Sequence, residues 1–104
     1  MKSVRLAPET VAELSEAAAW YESQRPGLAE DFLNEFEAVL RLIETRPASF
    51  PRLLDAAPDL NIRRAPLSRF PYSAVFIELP AEIRIVAVAH LKRRPGYWLN
   101  RVGK

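Results

Sequence analysis

The 104-residue sequence has no cysteine, only three glycines and a single histidine, His90. The absence of cysteine excludes a disulfide framework, a thiolate nucleophile and Cys-type zinc sites, and it fits a reducing compartment. Glycines at positions 27, 96 and 103 are too few and too scattered for a glycine-rich phosphate loop. One histidine without a carboxylate cluster argues against zinc and magnesium centres. We therefore expect a protein that binds no metal and needs no cofactor.

Long apolar runs are missing as well. The longest, residues 74–77 and 85–89, are far too short to span a bilayer, and no apolar stretch of signal-peptide length follows the N-terminus. Hydrophobic residues nevertheless make up 49% of the chain, well above the content of a disordered segment. We expect a soluble, cytoplasmic protein that folds as one domain over residues 1–104.

Charge is distributed unevenly along the chain. Residues 1–60 contain six Lys/Arg against eleven Asp/Glu, a balance of −5, whereas residues 61–104 contain nine against two, a balance of +7. Such polarity indicates a positive face for an anionic partner, with nucleic acid as the leading candidate. A solvated basic tail explains the charge alone equally well.

The spacing of apolar residues predicts two helices after a short opening strand at residues 4–6. Pro8 suits a first helical position, and Arg25-Pro26-Gly27 ends the first helix. A second helix follows over about residues 28–46. The two form an antiparallel hairpin because the turn between them is short. Their expected buried stripes are Val11, Leu14, Ala18 and Tyr21 in the first helix and Phe32, Phe36, Val39, Leu40 and Ile43 in the second.

The second half of the chain predicts three strands, at residues 61–66, 72–79 and 82–90, with Pro80-Ala81 as a tight turn. The fold class is therefore α+β in the order β-α-α-β-β-β. We expect an antiparallel sheet with the helical hairpin packed on one face. A two-residue turn would pair Leu79 with Glu82, Ile77 with Arg84, Val75 with Val86, and Pro71 with His90.

This register gathers basic residues at one end of the sheet. Arginine can bind phosphate through two parallel hydrogen bonds, the imidazole of His90 could transfer protons, and Tyr97 and Trp98 offer faces for base stacking. Simpler interpretations stay open: His90 could be structural, Tyr97 and Trp98 could dock the tail onto the sheet, and one of two adjacent arginines could be a bystander. The predicted cluster is Arg63, Arg64, Arg69, His90, Arg93 and Arg94.

Short segments spread over nearly the whole chain resemble the plasmid-stabilisation branch of the RelE/ParE superfamily of toxins. The resemblance implies a type II toxin–antitoxin system, the superfamily's fold of a sheet with a helical hairpin, and a small cognate antitoxin that neutralises the toxin. The segments that carry the resemblance are AEL at 12–14, AWYE at 19–22, GLAEDF at 27–32, RR at 63–64, FPY at 70–72 and HLKRRPGYW at 90–98. The most specific of them is residues 90–98, which Arg101 follows.

The resemblance implies either of two activities that cause growth arrest. RelE-like members are metal-independent endoribonucleases that cleave mRNA in the ribosomal A site. For that chemistry the matching catalytic residues are His90, Arg93 and Tyr97, with Arg93 stabilising the developing charge. The RelE-type lysines are absent from residues 61–90. The expected nucleic-acid contacts are Arg63, Arg64, Arg69, Arg94, Trp98 and Arg101.

ParE-like members instead bind and inhibit DNA gyrase, for which the same basic surface needs only to bind. A third alternative is a decayed toxin that binds only its antitoxin and their operator. We rank ribosome-dependent cleavage slightly ahead of gyrase inhibition, because His90, Arg93 and Tyr97 occur together at one sheet edge.

Overall fold

The helices and strands follow the predicted order in a computed structural model that describes residues 2–54 and 60–102. The α+β class is confirmed, and each predicted element is present with its bounds within about two residues of the expectation. No helix in the described ranges is long and apolar enough to cross a membrane. The elements are β1 (Ser3–Leu6), α1 (Pro8–Gln24), α2 (Leu28–Thr45), β2 (Ile62–Pro66), β3 (Tyr72–Glu78) and β4 (Glu82–His90), with short 3₁₀ turns at Pro47–Ser49 and Leu99–Arg101.

Local chemistry sets the break between the two helices. Pro8 occupies the first turn of α1, and Arg25 ends that helix in an extended conformation. Gly27 then adopts φ = +89°, in the left-handed region that strains residues with a side chain. Its N–H donates to the Glu22 carboxylate, which also accepts from the N–H of Ala29 in the first turn of α2. The tight connection brings α1 and α2 against each other.

The sheet is mixed, which corrects the expectation of a purely antiparallel one. Its strand order is β1-β4-β3-β2, and β1 runs parallel to β4. The cause lies in the segment between α2 and β2. Around Arg52 this segment runs antiparallel beside β2, as shown by an isolated bridge to Arg63. The chain thereby crosses back along the sheet before β2 begins, so β4 finally points in the same direction as β1.

The β3–β4 hairpin confirms the predicted register only near its turn. Ile77 pairs with Arg84, as expected, but a bulge interrupts the ladder after Phe76 pairs with Ile85. Val75 then faces Ala87 instead of Val86, and Tyr72 faces His90 where Pro71 was predicted. The extra residue in β4 is Val86, and a bulge of this kind cannot be read from hydrophobic alternation.

The helical hairpin covers one face of the sheet and forms the larger core. Phe32 is fully buried at its centre and contacts the rings of Tyr21, Phe70 and Tyr72. The predicted stripe of α2 is confirmed. In α1 the prediction for Val11 is wrong: its side chain is 48% exposed, because Thr10, Ala17 and Tyr21 define the buried face of that helix.

A smaller apolar cluster occupies the opposite side of the sheet, which we call the open face. Trp98 is 3% exposed there and packs on residues from all three strands of the second half, including Ile62, Val75 and Ala87. Residues 91–102, which we call the C-terminal segment, bring Trp98 to this face. The sheet therefore has one side covered by helices and the other partly covered by the C-terminal segment.

Phe32→Ala should lower the free energy of unfolding by about 3–5 kcal/mol, because it removes the ring around which the larger core is packed. Urea denaturation followed by circular dichroism measures the change. Leu33→Ala is the matched control, since its side chain is 38% exposed, and it should cost far less. Equal losses in the two variants would contradict the assignment of the core.

Candidate functional site

The open face carries a pocket of about 140 Å³ beside Trp98. Its basic members are Arg64, His90, Arg93 and Arg94, and no acidic residue of the described chain lines it. All three arginines are exposed, and none of them forms an ion pair among the described residues. We call this site the basic pocket. Its other walls are largely apolar, with Leu53, Val75, Ala89 and Trp98 among the lining residues.

Strand alternation separates the two arginines of β2. Arg64 pairs with Val75 of β3 and lines the basic pocket on the open face. The side chain of Arg63 instead donates from Nη1 to the carbonyl oxygen of Phe50 at 2.6 Å, and Phe50 packs against the larger core. Adjacent residues of a strand point to opposite faces, so Arg63 does not join the pocket.

Arg69 is also held away from the basic pocket. It lies just before β3, and its Nε donates to the Glu35 carboxylate of α2 at 3.1 Å while its backbone N–H donates to the same group at 2.9 Å. Burial acts to raise the pKa of Glu35, but the hydrogen bonds from Arg69 and Ser68 outweigh it, and the pKa is lowered. Arg69 thus ties the β2–β3 turn to the helical hairpin.

His90 is positioned by its neighbours on β3 and in the C-terminal segment. Its ring meets that of Tyr72 edge-on, with 4.9 Å between centroids. Nδ1 accepts the backbone N–H of Lys92 at 3.0 Å, so a neutral His90 carries its proton on Nε2. The residue lines both the basic pocket and a groove beside Trp20 of α1. Nε2 of His90 forms no hydrogen bond with any described residue. His90 therefore remains a candidate for proton transfer.

Tyr97 is engaged at both its hydroxyl and its ring. The hydroxyl donates to Oε2 of Glu13 at 2.6 Å, and the Arg93 guanidinium carbon lies 3.9 Å from the ring centroid. Burial, and then the hydrogen bond to Glu13, raise the pKa of Tyr97. The phenol therefore stays protonated at neutral pH, and the stacked arginine covers one face of the ring.

Glu13 was not predicted as a site residue, yet it connects α1 with β4 and the C-terminal segment. Its carboxylate binds Arg101 through two hydrogen bonds of 3.0 and 3.1 Å and accepts the backbone N–H of Val88 at 3.0 Å, in addition to the Tyr97 hydroxyl. The pair with Arg101 leaves each side chain 15% exposed. We call these four groups the Glu13 network.

The helical spacing of α1 contains the signal that would have found Glu13. It lies three residues after Thr10 and four before Ala17, and both of those side chains are buried. A residue at that spacing shares their face of the helix. The hydrophobic pattern alone does not single out Glu13, because a carboxylate on a helix is ordinarily solvated.

The predicted residues therefore divide into two groups. Arg64, His90, Arg93 and Arg94 lie together at the basic pocket, with Trp98 buried beside them and Tyr97 also lining it. The other arginines have different partners: Arg63 binds Phe50, Arg69 binds Glu35, and Arg101 binds Glu13. The arrangement suits an anionic group held against an apolar wall, since guanidinium groups bind oxyanions and no carboxylate of the described chain lines the pocket.

Tyr97→Phe should lower the free energy of unfolding at neutral pH by about 1.5–3 kcal/mol, because it removes a hydrogen bond to a carboxylate. Tyr72→Phe is the control, since the Tyr72 hydroxyl forms no hydrogen bond among the described residues. It should change stability by less than about 0.5 kcal/mol. Urea denaturation measures the free energy of unfolding of both variants. A wild-type free energy for Tyr97→Phe would show that the hydrogen bond to Glu13 adds nothing to stability.

Alkaline pH should destabilise the protein. An unfolded tyrosine ionises at about pH 10, whereas the pKa values of Tyr21, Tyr72 and Tyr97 are all raised in the folded chain. Their contribution is fully present below about pH 10 and is lost as the pH rises toward the folded-state values. Phenolate absorbance should therefore appear together with loss of ellipticity. Ionisation of all three tyrosines in a fully folded protein would contradict this expectation.

Comparison with known proteins bears on the fold. No protein-family model matches the sequence, and no curated protein matches it. A solved structure described as the chromosomal ParDE TA system from P. aeruginosa contains a chain with a similar fold, at a TM-score of 0.74 and 20% sequence identity. The match covers 86% of this chain and 96% of that one. The chain therefore shares the α+β fold of a protein in that structure over most of its length.

Proposed function

We propose that this chain is the toxin of a type II toxin–antitoxin pair and is neutralised by a small cognate antitoxin. Two independent observations support the proposal. The solved structure with the similar fold is described as a ParDE TA system, and TA stands for toxin–antitoxin. The sequence segments that resemble RelE/ParE toxins include residues 63–64 and 90–98, which contribute all the basic members of the basic pocket.

Of the two activities implied by the resemblance, the geometry favours binding without catalysis, as in ParE-like inhibitors of DNA gyrase. The observation that carries this preference is the hydrogen bond from Tyr97 to Glu13. A ribonuclease that cleaves through the ribose 2′-hydroxyl needs one group to accept a proton and another to donate one. Tyr97 cannot accept a proton at neutral pH while its phenol is bound to a carboxylate, and Arg101 is paired with that same carboxylate.

Ribosome-dependent, metal-independent cleavage of mRNA is the second candidate, and the position of His90 favours it. His90 lines the basic pocket together with Arg64 and Arg93, so one proton-transfer group lies beside two phosphate-binding groups. Catalysis by this set would need a second proton-transfer group from the ribosome or the RNA. The order of the two activities is thus the reverse of the order that the sequence favoured.

Two assays on the purified protein distinguish these activities. Inhibition of gyrase-catalysed supercoiling of relaxed plasmid, together with intact mRNA by primer extension in a purified translation reaction, supports the binding mechanism. Cuts at A-site codons with unaffected gyrase would overturn it in favour of cleavage. If the protein shows neither effect and its expression causes no growth arrest, the chain has no toxin activity. The decayed-toxin alternative would then remain.

Arg93→Ala should abolish growth arrest while folding and antitoxin binding stay largely intact, because an exposed guanidinium of the basic pocket is lost. We expect target affinity to fall about tenfold to a hundredfold, the usual effect of removing a charged hydrogen bond. Arg41→Ala is the matched control, since among the described residues Arg41 pairs only with Glu37, on the surface of α2. Undiminished arrest by Arg93→Ala would remove Arg93 from the site.

His90→Gln separates the two mechanisms within one residue. A binding toxin should keep most of its activity, because Arg64, Arg93 and Arg94 still line the basic pocket and no proton is transferred. It should lose some stability, because the imidazole packs on Tyr72. A nuclease should lose its activity. The measurement is growth arrest on induced expression, combined with thermal denaturation of the purified variant. Loss of arrest at wild-type stability would contradict the binding mechanism.

A further inference from the structure

The C-terminal segment has few polar contacts with the rest of the fold. At its start, Leu91 donates its backbone N–H to the Pro71 carbonyl, and Arg93 donates its own to the carbonyl of His90. After Arg93, every described hydrogen bond from this segment to another part of the chain comes from Tyr97 or Arg101. Their acceptors are the Glu13 carboxylate and the carbonyl oxygens of Val86 and Val88 in β4.

The same segment forms much of the basic pocket. Arg93, Arg94 and Trp98 all line it, and Arg93 stacks on Tyr97, whose hydroxyl is bound by Glu13. The orientation of the pocket wall therefore depends on a contact made outside the pocket. Glu13 does not line the basic pocket; it lines the adjacent groove, which shares His90 and Arg93 with the pocket.

We propose that Glu13 is a positioning residue of the basic pocket. Its carboxylate holds Tyr97 and Arg101 against β4, and the C-terminal segment thereby keeps Arg93 and Trp98 in place as wall and floor. The structural part of this proposal stands on the contacts alone. Its effect on target binding rests on the proposed function, and the experiment below reads the two separately.

The negative charge of Glu13 is needed, because Arg101 is only 15% exposed. A glutamine at position 13 keeps the shape and one acceptor oxygen, but it leaves the guanidinium without the carboxylate that receives two of its hydrogen bonds. Arg101 would then keep only neutral acceptors, the Val86 carbonyl and the single amide oxygen of the glutamine. Because a partly buried cation without a counter-charge is costly, we expect the segment around Arg101 to move toward solvent.

Glu13 also closes an open edge of the sheet. β1 pairs with β4 only from Glu82 to Ile85, so on that side of β4 no strand pairs with the backbone groups beyond Ile85. Glu13 accepts the N–H of Val88, and Arg101 donates to the carbonyl of Val86. The network thus satisfies backbone groups that an uncovered edge would leave unpaired.

The experiment uses the fluorescence of Trp98 as its reporter. The protein has two tryptophans, and Trp20 is 58% exposed, so Trp20→Phe leaves Trp98 as the single emitter. In that background Glu13→Gln should shift the emission to longer wavelength and increase quenching by acrylamide, while far-ultraviolet circular dichroism is retained. An unchanged emission and quenching of Trp98 in a folded Glu13→Gln variant would overturn the proposal.

The matched control is Glu35→Gln. Glu35 is also a helical carboxylate that binds an arginine and a backbone N–H, those of Arg69, but it lies away from the basic pocket. The Glu35→Gln substitution should reduce stability without changing the emission of Trp98. An equal shift from Glu35→Gln would mean that Trp98 reports general loosening, and that result would also count against a specific role for Glu13.

Arg101→Gln tests the same contact from the other side, in case Glu13→Gln does not fold. It should reproduce the change in Trp98 emission, and the double variant should add little, because each substitution alone breaks the pair. Two additive shifts would contradict the proposal.

The effect on function is read from growth arrest and from the target assay. Glu13→Gln should raise the concentration needed for inhibition by about tenfold, the size of a moderate coupling energy between contacting residues. Inactivity of the wild-type protein in every target assay would overturn the proposed function while the Trp98 measurement still decides the role of Glu13. A changed Trp98 signal with undiminished inhibition would refute the link between positioning and binding.

Discussion

The ion pair between Glu13 and Arg101 joins two parts of the chain that are far apart in sequence. The carboxylate belongs to α1. The guanidinium belongs to the C-terminal segment, which leaves β4 and passes to the open face. Because the same carboxylate binds the Tyr97 hydroxyl and the N–H of Val88, one side chain accepts a hydrogen bond from the edge of β4 and also anchors the C-terminal segment. The cover over the open face, and with it the wall of the basic pocket, depends on this contact.

Charge on the surface follows from which arginines find partners. Arg69 and Arg101 are neutralised by carboxylates of the two helices, so part of the positive charge of the second half of the chain is balanced by the acidic first half. Arg64, Arg93 and Arg94 have no such partner among the described residues and remain available on the open face. The positive charge concentrated at the basic pocket thus results from pairing elsewhere in the fold.

Much of the fold was predictable, because hydrophobic periodicity is a local property. The lengths of the two helices, the three later strands and the turn at Pro80 followed from spacing and proline positions alone. The direction of β1 relative to β4 did not, since it depends on the segment around Arg52, which runs antiparallel beside β2. The bulge at Val86 was also hidden, because β4 is an almost continuous apolar run in which one extra residue changes no visible alternation.

The sequence by itself determined the α+β class, the excess of basic residues after residue 60 and a candidate cluster that includes the four basic residues of the basic pocket. It could not determine which of nine predicted site residues would be free to act, because partners such as Glu13 and Glu35 lie more than 30 positions away from the residues they bind. Only the tertiary structure decided that Tyr97 and Arg101 are held by Glu13. The physical reason is that hydrogen bonds and ion pairs depend on distance in space, which helix packing and strand register set.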